Sequence, residues 1–427
     1  MQSHALNSAK HLPSVTVLIA LAVLPLLLEI RGAPLTLRQI GDSLGWLGAG
    51  MLSSSLVLMV REPLISRWFG GLARMYRWHH VLGVLACTAL LLHPAVLAVA
   101  ALSTSAHRAW NIISPARAFP SNALGWTALI GLMLVLVTTL LWRVRYSLWR
   151  RLHFYSSLAV LLGVAHVVAY RGITASLLLI AAPTVVALGW RILRADSGLA
   201  ARPYEVQSFA RIALRTTEIA LRPLAQPITV SPGQFVMVAF FQGPHYEGCG
   251  EFHPYTVCDS RKDGTLVLAV KALGDCTTQI QSVQEGVSAR VQGPFGGFLA
   301  AASPTPSLWI AGGIGITPFI ARLRAADLKI STELIYTYRD PESAAYLYEL
   351  QEHARSQPLL VLRTLVVQND AHPVYALLDE LKDLSSREVY IAGPPPFIST
   401  VVEELHRRGV PRSHIHFEEF EFLPGRN

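Results

Sequence analysis

The sequence is short of acidic residues, of cysteines and of basic tracts, and each shortage excludes a class of protein. Aspartate and glutamate number 28 against 36 lysines and arginines, so the formal net charge is +8. This excess forms no basic tract and accompanies no base-stacking motif, so we expect no nucleic-acid partner. The four cysteines, Cys87, Cys249, Cys258 and Cys276, show no metal-ligand spacing. The sequence therefore predicts neither a disulfide framework nor a zinc site.

Apolar residues make up 52% of the chain and are concentrated in its first half. A helix needs ~20 apolar residues to cross a bilayer. Six runs approach that length, at about 13–30, 43–60, 79–101, 122–142, 153–170 and 173–193. No small-x-small cleavage pattern follows the first run, so we interpret it as a retained helix rather than a signal peptide. The first half is therefore predicted to be a six-helix membrane bundle.

The connections between these apolar runs are alternately rich and poor in basic residues. The rich connections and flanks hold Lys10, Arg61, Arg67, Arg74, Arg77, Arg143, Arg145, Arg150, Arg151, Arg191 and Arg194. The poor ones hold Arg31, Arg38, Arg108, Arg117 and Arg171. Basic loops stay in the cytoplasm, so both termini are predicted to be cytoplasmic in a multi-pass cell-membrane protein with lipid as its surroundings.

Two of the apolar runs carry paired histidines, His79 with His93 and His153 with His166. An imidazole in a membrane helix usually faces a partner in the bundle, and neutral imidazole is a common axial ligand of haem iron. The predicted topology places His79 beside His153 on the inner side and His93 beside His166 on the outer side. The second pair is spaced by 13 residues, which turns its members apart by roughly 140°, so ring approach or helix geometry has to adjust. His80, which stands 13 residues before His93, is an alternative to His79 as the inner ligand.

The second half changes first to short alternating strands broken by Pro and Gly, which predict a β-barrel up to about residue 298. Its strand His253-Pro254-Tyr255-Thr256 offers a hydroxyl that can reach a flavin ring. The segment from Lys271 to Thr278 contains Gly274 followed by Thr277 and Thr278, a pattern able to hold a pyrophosphate at a helix start. Taken singly, these are also ordinary strand and cap residues.

Strands and helices then alternate to the end of the chain, which predicts a doubly wound parallel sheet. Gly312-Gly313-Ile314-Gly315-Ile316-Thr317-Pro318 turns from a buried strand into a helix. Gly393-Pro394-Pro395 follows a later strand in the same way. Glycine-rich turns at the carboxyl ends of parallel strands are where nucleotides bind.

In this order, the motifs resemble the ferric reductase and NADPH oxidase superfamily, a six-helix di-haem domain fused to a ferredoxin-reductase-like module. The resemblance implies domains at 1–197 (membrane), 198–299 (FAD) and 300–427 (NADPH). It implies two haem b groups on His79, His153, His93 and His166, and FAD on His253, Pro254, Tyr255, Thr256, Lys271, Gly274, Thr277 and Thr278. It assigns NADPH to Gly312, Gly313, Gly315, Thr317, Pro318, Gly393, Pro394 and Pro395, and it makes Thr256 and a terminal Phe420 or Phe422 the flavin-facing catalytic groups. The family often has Cys where this chain has Ala392.

The function implied is electron transfer from cytoplasmic NADPH to an external acceptor. Dioxygen as acceptor makes the protein a superoxide-forming oxidase, and a ferric chelate makes it a metal reductase. A third reading is a quinone-linked or partner-dependent haem subunit, although no sequence feature points to an obligatory protein partner. Thr337 and Arg339, with Tyr346 beyond them, predict a preference for NADPH, because a guanidinium and hydroxyls suit the 2′-phosphate.

Overall fold

The computed structural model describes residues 12–30, 36–115, 120–140, 146–243, 246–299, 304–367, 372–381 and 383–419. These residues form two compact units that meet in sequence at Ser197 and Gly198. The first unit is helical and the second combines a barrel with a sheet.

Eight helices lie in the described part of the first unit. They are α1 (Leu12–Glu29), α2 (Leu37–Val57), α3 (Pro63–Phe69), α4 (Leu72–Leu102), α5 (Ala106–Ile113), α6 (Pro120–Leu140), α7 (Tyr146–Arg171) and α8 (Ala175–Trp190). A π-helical turn, Arg191–Asp196, continues α8. Helices α3 and α5 are short connecting elements that the apolar pattern did not predict.

Four helices of the described chain are long and apolar enough to cross a membrane: Leu72–Leu102, Ser121–Leu140, Leu148–Arg171 and Ala175–Ala195. Ser14–Glu29 is apolar but shorter. Helix α2 is as long as a span, yet it carries Asp42 and a run of three serines. All six predicted apolar runs therefore form helices, and four of them meet the length and hydropathy of a span on their own.

The three serines of α2 reach three neighbouring helices. Ser53 Oγ donates to the Ile180 carbonyl of α8, and Ser54 Oγ to the Leu18 carbonyl of α1. Ser55 Oγ donates to the His79 carbonyl of α4 at 3.1 Å. Hydrogen bonds of this kind hold helices together where no water competes.

The second unit begins with a closed antiparallel barrel in the strand order β1-β2-β5-β4-β3-β6. The strands are β1 (Arg202–Ala213), β2 (Thr216–Pro223), β3 (Phe235–Phe240), β4 (His253–Ser260), β5 (Leu266–Lys271) and β6 (Ser288–Phe295), with the short helix α9 (Asp275–Gln279) between β5 and β6. Alternate side chains, such as Ile219, Val236 and Leu268, fill the barrel interior. This burial explains the period-2 pattern of the sequence.

A five-stranded parallel sheet follows, in the order β11-β10-β7-β8-β9. Its strands are β7 (Ser307–Gly312), β8 (Thr332–Tyr338), β9 (Leu360–Val366), β10 (Glu388–Gly393) and β11 (Ile415–Glu419). Its helices are α10 (Thr317–Ala325), α11 (Leu347–Ser356), α12 (His372–Glu380) and α13 (Pro395–Arg407). The strand order reverses beside β7 and β10, so the two glycine-rich turns meet at the carboxyl edge of the sheet. The predicted fold class is confirmed.

Candidate cofactor-binding site

The first candidate site lies between α4 and α7, where His79 and His153 face each other. Their ring centroids are 6.0 Å apart and the ring planes meet at 74°. Trp149 stacks on His153 at 4.9 Å. Two imidazole nitrogens that bind one metal from opposite sides, each ~2 Å from it, give a similar ring separation. The separation of the two rings would therefore allow His79 and His153 to hold one metal between them.

Hydrogen bonding fixes the tautomer of His79. Its Nδ1 is 3.0 Å from the Ser55 carbonyl oxygen and 2.7 Å from Ser55 Oγ. Because the Ser55 hydroxyl already donates to the His79 carbonyl, Nδ1 is the donor, and Nε2 keeps the lone pair. A ligating histidine is normally held in this way by its other nitrogen.

His93, further along α4, and His166, further along α7, repeat this arrangement with carbonyls of α2 and α6. His93 Nδ1 is 2.7 Å from the Gly41 carbonyl of α2, and His166 Nδ1 is 2.7 Å from the Ser121 carbonyl of α6. One turn further along each helix stands a glycine. A Cβ at Gly45 would lie 2.9 Å from His93 Nδ1, and a Cβ at Gly125 would lie 3.0 Å from His166 Nδ1. The missing side chains make room for the rings.

The cleft beside His79 and His153 is mostly apolar, with Leu52, Leu132, Leu136 and Val160 among its lining residues. Arg191 is a cation on the same lining. An apolar wall with one cation suits a flat macrocycle that carries carboxylates. His80 also lines the cleft, but its side chain is exposed, whereas His79 is partly buried. Helix α7 is unbroken between His153 and His166, so no break in the helix reduces the rotation between the two side chains. Binding of both would then depend on the orientation of each ring.

A second candidate site lies on β4 of the barrel. Tyr255 Oη and Thr256 Oγ1 are shielded from water and have no hydrogen-bond partner among the described residues. Burial raises the pKa of the Tyr255 hydroxyl well above its usual value. An unsatisfied buried polar group costs ~1–3 kcal/mol, so two neighbouring ones indicate that a ligand supplies the partner. Pro254 and His253 precede them on the same strand, with His253 Nε2 3.8 Å from the Glu251 carboxylate.

The turn after β5 is closed by Thr277, whose hydroxyl oxygen accepts from the amides of Leu273 and Gly274, both at 2.9 Å. The amide of Thr278 donates to the Gly274 carbonyl at 2.9 Å. Lys271 stands just before this turn. Desolvation, then the nearby Arg339 guanidinium, lowers the pKa of the Lys271 ammonium. Lys271 Nζ is 3.9 Å from the position of a Cβ on Gly313, so the barrel motif and the first glycine-rich turn lie side by side.

The two glycine-rich turns of the sheet contact each other directly. A Cβ on Gly315 would overlap the Ala392 carbonyl, and a Cβ on Gly312 would lie 3.0 Å from the Phe397 ring. Gly313 has a φ of 55°, which favours glycine. Gly393 also packs against Phe397.

The helices that follow these turns begin at residues that the sequence assigns to nucleotide binding. Thr317 and Pro318 are buried at the start of α10, where Thr317 Oγ1 donates to the Ile314 carbonyl at 3.1 Å. Pro394 and Pro395 open α13. The structure therefore brings the two glycine-rich turns and the helix starts that follow them together at the carboxyl edge of the sheet.

The residues predicted to read the 2′-phosphate separate in the structure. Arg339 is exposed after β8. Thr337 is buried and its hydroxyl donates to the Ala311 carbonyl at 3.1 Å. Tyr346 is buried as well, and its hydroxyl donates to Glu218 Oε2 at 2.6 Å. The structure does not group these two hydroxyls with Arg339, whose guanidinium alone faces outward. Asp340 caps the next turn by accepting from the Ser343 amide at 2.8 Å.

The structure brings together one cluster of cysteine and histidine side chains that sequence spacing did not predict. Cys249, His253 and Cys276 have their ligand atoms within 4.8 Å of one another. A hydrogen bond with Cys276 lowers the pKa of the Cys249 thiol to about 4, against the effect of desolvation. Sequence spacing missed the cluster because Cys276 lies in the short helix α9 after β5, and closure of the barrel brings this helix next to the start of β4. The interval from Cys249 to His253 was the only local signal.

The last strand carries a further group that the motifs did not identify. Glu418 on β11 has one carboxylate oxygen shielded from solvent without a hydrogen-bond partner in the described chain. Desolvation raises the pKa of its carboxyl to about 8. Its other oxygen is 3.4 Å from the position of a Cβ on Gly296. Phe420 and Phe422, the predicted flavin-facing aromatics, lie outside the described residues.

Three family models match the chain in succession. They are a ferric reductase like transmembrane component over residues 44–164, an FAD-binding domain over 211–319 and an oxidoreductase NAD-binding domain over 309–403. The chain therefore joins a ferric-reductase-like transmembrane component to an FAD-binding domain and an NAD-binding domain.

Curated relatives include the ferredoxin reductase component of 3-ketosteroid-9-alpha-monooxygenase from Mycolicibacterium smegmatis, 29% identical over 51% of this chain and 64% of the relative. The carnitine monooxygenase reductase subunit of Acinetobacter pittii is 33% identical over 39% of this chain and 51% of the relative. The chain thus spans between half and two thirds of the length of these relatives.

A solved flavohemoglobin from Malassezia yamatoensis, with bound FAD and heme, is similar in fold alone. It has a TM-score of 0.51 at 16% identity, over 90% of this chain and 97% of its own. The order of the three family models carries the assignment: the chain has the architecture of the ferric reductase and NADPH oxidase superfamily, a ferric-reductase-like transmembrane component fused to an FAD- and nicotinamide-nucleotide-binding oxidoreductase.

Proposed function

We propose that this protein transfers electrons from cytoplasmic NADPH across the membrane to an external acceptor, with FAD and two b-type haems as its cofactors. The observation that carries the proposal is the common setting of His79, His93 and His166. In each of the three, Nδ1 is bonded to a carbonyl of a neighbouring helix and Nε2 is left to bind. Histidines that only pack helices together have no need of a matched tautomer.

His79 and His153 would hold one haem, and His93 and His166 the other. Once bound, FAD supplies the exchange between a two-electron hydride donor and single electrons, and the haems supply one-electron carriers inside the membrane. The chain's part is to fix the imidazoles and to keep water away from the apolar cleft around them. Gly45 and Gly125 leave the space in which the outer rings stand.

In the soluble unit, Thr256 Oγ1 and Tyr255 Oη would donate to the flavin, because no described protein group takes their hydrogen bonds. Gly312, Gly313, Gly315 and Gly393 would let the nucleotide backbone approach the carboxyl edge of the sheet. Arg339 would bind the 2′-phosphate, since its guanidinium is exposed beside that edge. Lys271, between the two motifs, would face the same ligands.

Dioxygen is the acceptor that we propose, which makes the protein a superoxide-forming oxidase. A ferric chelate is the second candidate, favoured by the matched ferric reductase like transmembrane component. The curated relatives are reductase components of oxygenases, which keeps open a partner-dependent subunit as a further candidate. All three candidate functions need the same NADPH and FAD sites and differ only in the species that receives the electrons.

The experiment uses the haem-loaded full chain in sealed proteoliposomes, with FAD and NADPH outside and a ferric chelate in the lumen, and assays superoxide and ferrous iron in the lumen. We expect superoxide from the protein alone, and its loss in His166→Ala while NADPH still reduces the flavin. The matched control is His80→Ala, which should retain activity because His80 is exposed. Lumenal ferrous iron without superoxide would identify the second candidate, and neither product without an added partner would identify the third. Full haem content in His166→Ala would contradict the proposed ligand.

A further inference from the structure

One cluster of side chains beside the flavin motif joins His253 to two cysteines that the proposed electron transfer does not use. Cys249 lies in the loop between β3 and β4, His253 opens β4, and Cys276 lies in α9. Both sulfurs and an imidazole nitrogen lie within 4.8 Å of one another. Neither cysteine forms a disulfide, and all three residues are partly buried.

This donor set has the chemistry and size of a metal site. Two thiolates and an imidazole favour soft or borderline cations over calcium or magnesium, which prefer oxygen. Metal–sulfur distances of ~2.3 Å and metal–nitrogen distances of ~2.0–2.1 Å place the donors of a tetrahedral site roughly 3.5–3.8 Å apart. Donors already within 4.8 Å need only small side-chain movements to close around an ion.

Partial burial gives the cluster access as well as affinity. The His253 side chain is 24% exposed while its Nε2 atom is shielded from solvent, so a small rotation of the ring would admit an ion. Three protein donors leave a fourth position for water or an exchangeable ligand.

We propose that Cys249, His253 and Cys276 bind one thiophilic metal ion of the Zn²⁺ class. The ion would fasten the loop before β4 to the turn that holds Gly274 and Thr277, and so link the two barrel segments assigned to FAD. The site does not depend on the proposed acceptor or on the haems.

The test uses the detergent-purified full chain with FAD, kept reduced, stripped with a chelator and titrated with Co²⁺ as a spectroscopic probe. We expect a thiolate-to-cobalt charge-transfer band that saturates at one ion per chain and disappears when Zn²⁺ is added. Cys249→Ser should weaken binding by more than the ~10–100-fold typical of losing an outer-shell partner, because it removes a ligand. Retained flavin absorbance in this variant shows that it is folded.

Controls and a second ligand variant keep the outcome decisive. Cys87→Ala and Cys258→Ala should leave the band unchanged, since neither sulfur belongs to the cluster. Cys276→Ser should lose the band as Cys249→Ser does. The proposal is overturned if the wild-type protein gives no thiolate band, if either serine variant keeps it, or if the two thiols are found as a disulfide under the reducing conditions. Displacement of Co²⁺ by Cu⁺ but not by Zn²⁺ would overturn the assignment to the Zn²⁺ class.

Discussion

Thr256 has a buried hydroxyl that no described protein group satisfies. Thr256→Val removes this hydroxyl with little change of shape, so the FAD-free protein should be as stable as wild type or slightly more stable. FAD affinity should fall, by about 1–2 kcal/mol, because the ligand loses its partner. Calorimetry of FAD binding and thermal unfolding of the apoprotein measure the two effects. A loss of apoprotein stability with unchanged FAD affinity would show that the hydroxyl serves the protein instead.

Arg339 and Tyr346 have different surroundings in the structure, since Arg339 is exposed and Tyr346 is buried. Arg339→Ala should raise the KM for NADPH by a factor that corresponds to roughly 1.5–3 kcal/mol of lost charge-assisted hydrogen bonding, and it should leave the KM for NADH nearly unchanged. Tyr346→Phe should leave both KM values unchanged and lower stability by about 1–2 kcal/mol, since the hydroxyl bonds Glu218. Steady-state kinetics with both nucleotides and a denaturant titration measure these effects. A rise in the KM for NADPH in Tyr346→Phe would restore the role that the sequence predicts.

Glu418 makes stability depend on pH, because desolvation raises the pKa of its carboxyl to about 8. The folded protein then binds a proton that the unfolded chain releases near pH ~4.3. The free energy of unfolding should therefore fall as pH rises from ~4.3 to about 8, by at most ~1.4 kcal/mol per pH unit. Glu418→Gln should lack this fall, so its advantage over wild type should grow up to about pH 8. Thermal melts of both proteins across that range measure it, and parallel curves would contradict the shifted pKa.

Single residues were predictable where a turn dictates them and unpredictable where the fold decides their surroundings. The glycines of both turns follow from the strand-to-helix pattern. Burial of Thr337 does not, because it depends on β8 being an interior strand of the sheet. The grouping of Cys249 with Cys276 depends on barrel closure, which joins segments that no spacing rule connects.

At the scale of the helix, the absence of a side chain at Gly125 lets α6 pack closely against His166. Gly125→Ala would place a methyl group 3.0 Å from the His166 ring, so the ring has to move or the helices separate. We expect loss of about one of the two haems per chain with normal flavin content. Gly163→Ala is the matched control, since its methyl would meet only Ala128 Cβ at 3.9 Å. Haem and flavin spectra of the purified variants measure the effect, and equal haem content would contradict it.

The helices and strands themselves were largely predictable, since apolar runs and period-2 alternation report burial directly. The short helices α3 and α5 were not, because seven or eight residues carry too little periodicity. Helix α4 begins at Leu72, before the apolar run at about residue 79, because Tyr76 and the arginines beside it continue the helix in a polar segment. Hydropathy marks the membrane part of a helix rather than its ends.

At the scale of the whole molecule, the arginine distribution predicts the orientation of the chain in the membrane. A reporter fused after Asn427 should be cytoplasmic, and one inserted near Ser105 should be external, because basic loops are retained inside. Activity of an alkaline phosphatase or a fluorescent protein at each position measures this in cells. An external carboxyl terminus would reverse the proposed direction of electron transfer, because the nucleotide is available inside.

The three serines of α2 bear on how the membrane part is assembled. Ser53 bonds the carbonyl of Ile180, a residue 127 positions later in the chain, whereas the partner of Ser54 lies in the helix made just before. A helix with Asp42 and three hydroxyls inserts poorly on its own. We therefore expect α2 to depend on α1 and α4 early in synthesis and to gain its hydrogen bond to Ile180 only after α8 has been made. The last helix of the membrane unit then completes the packing of the second.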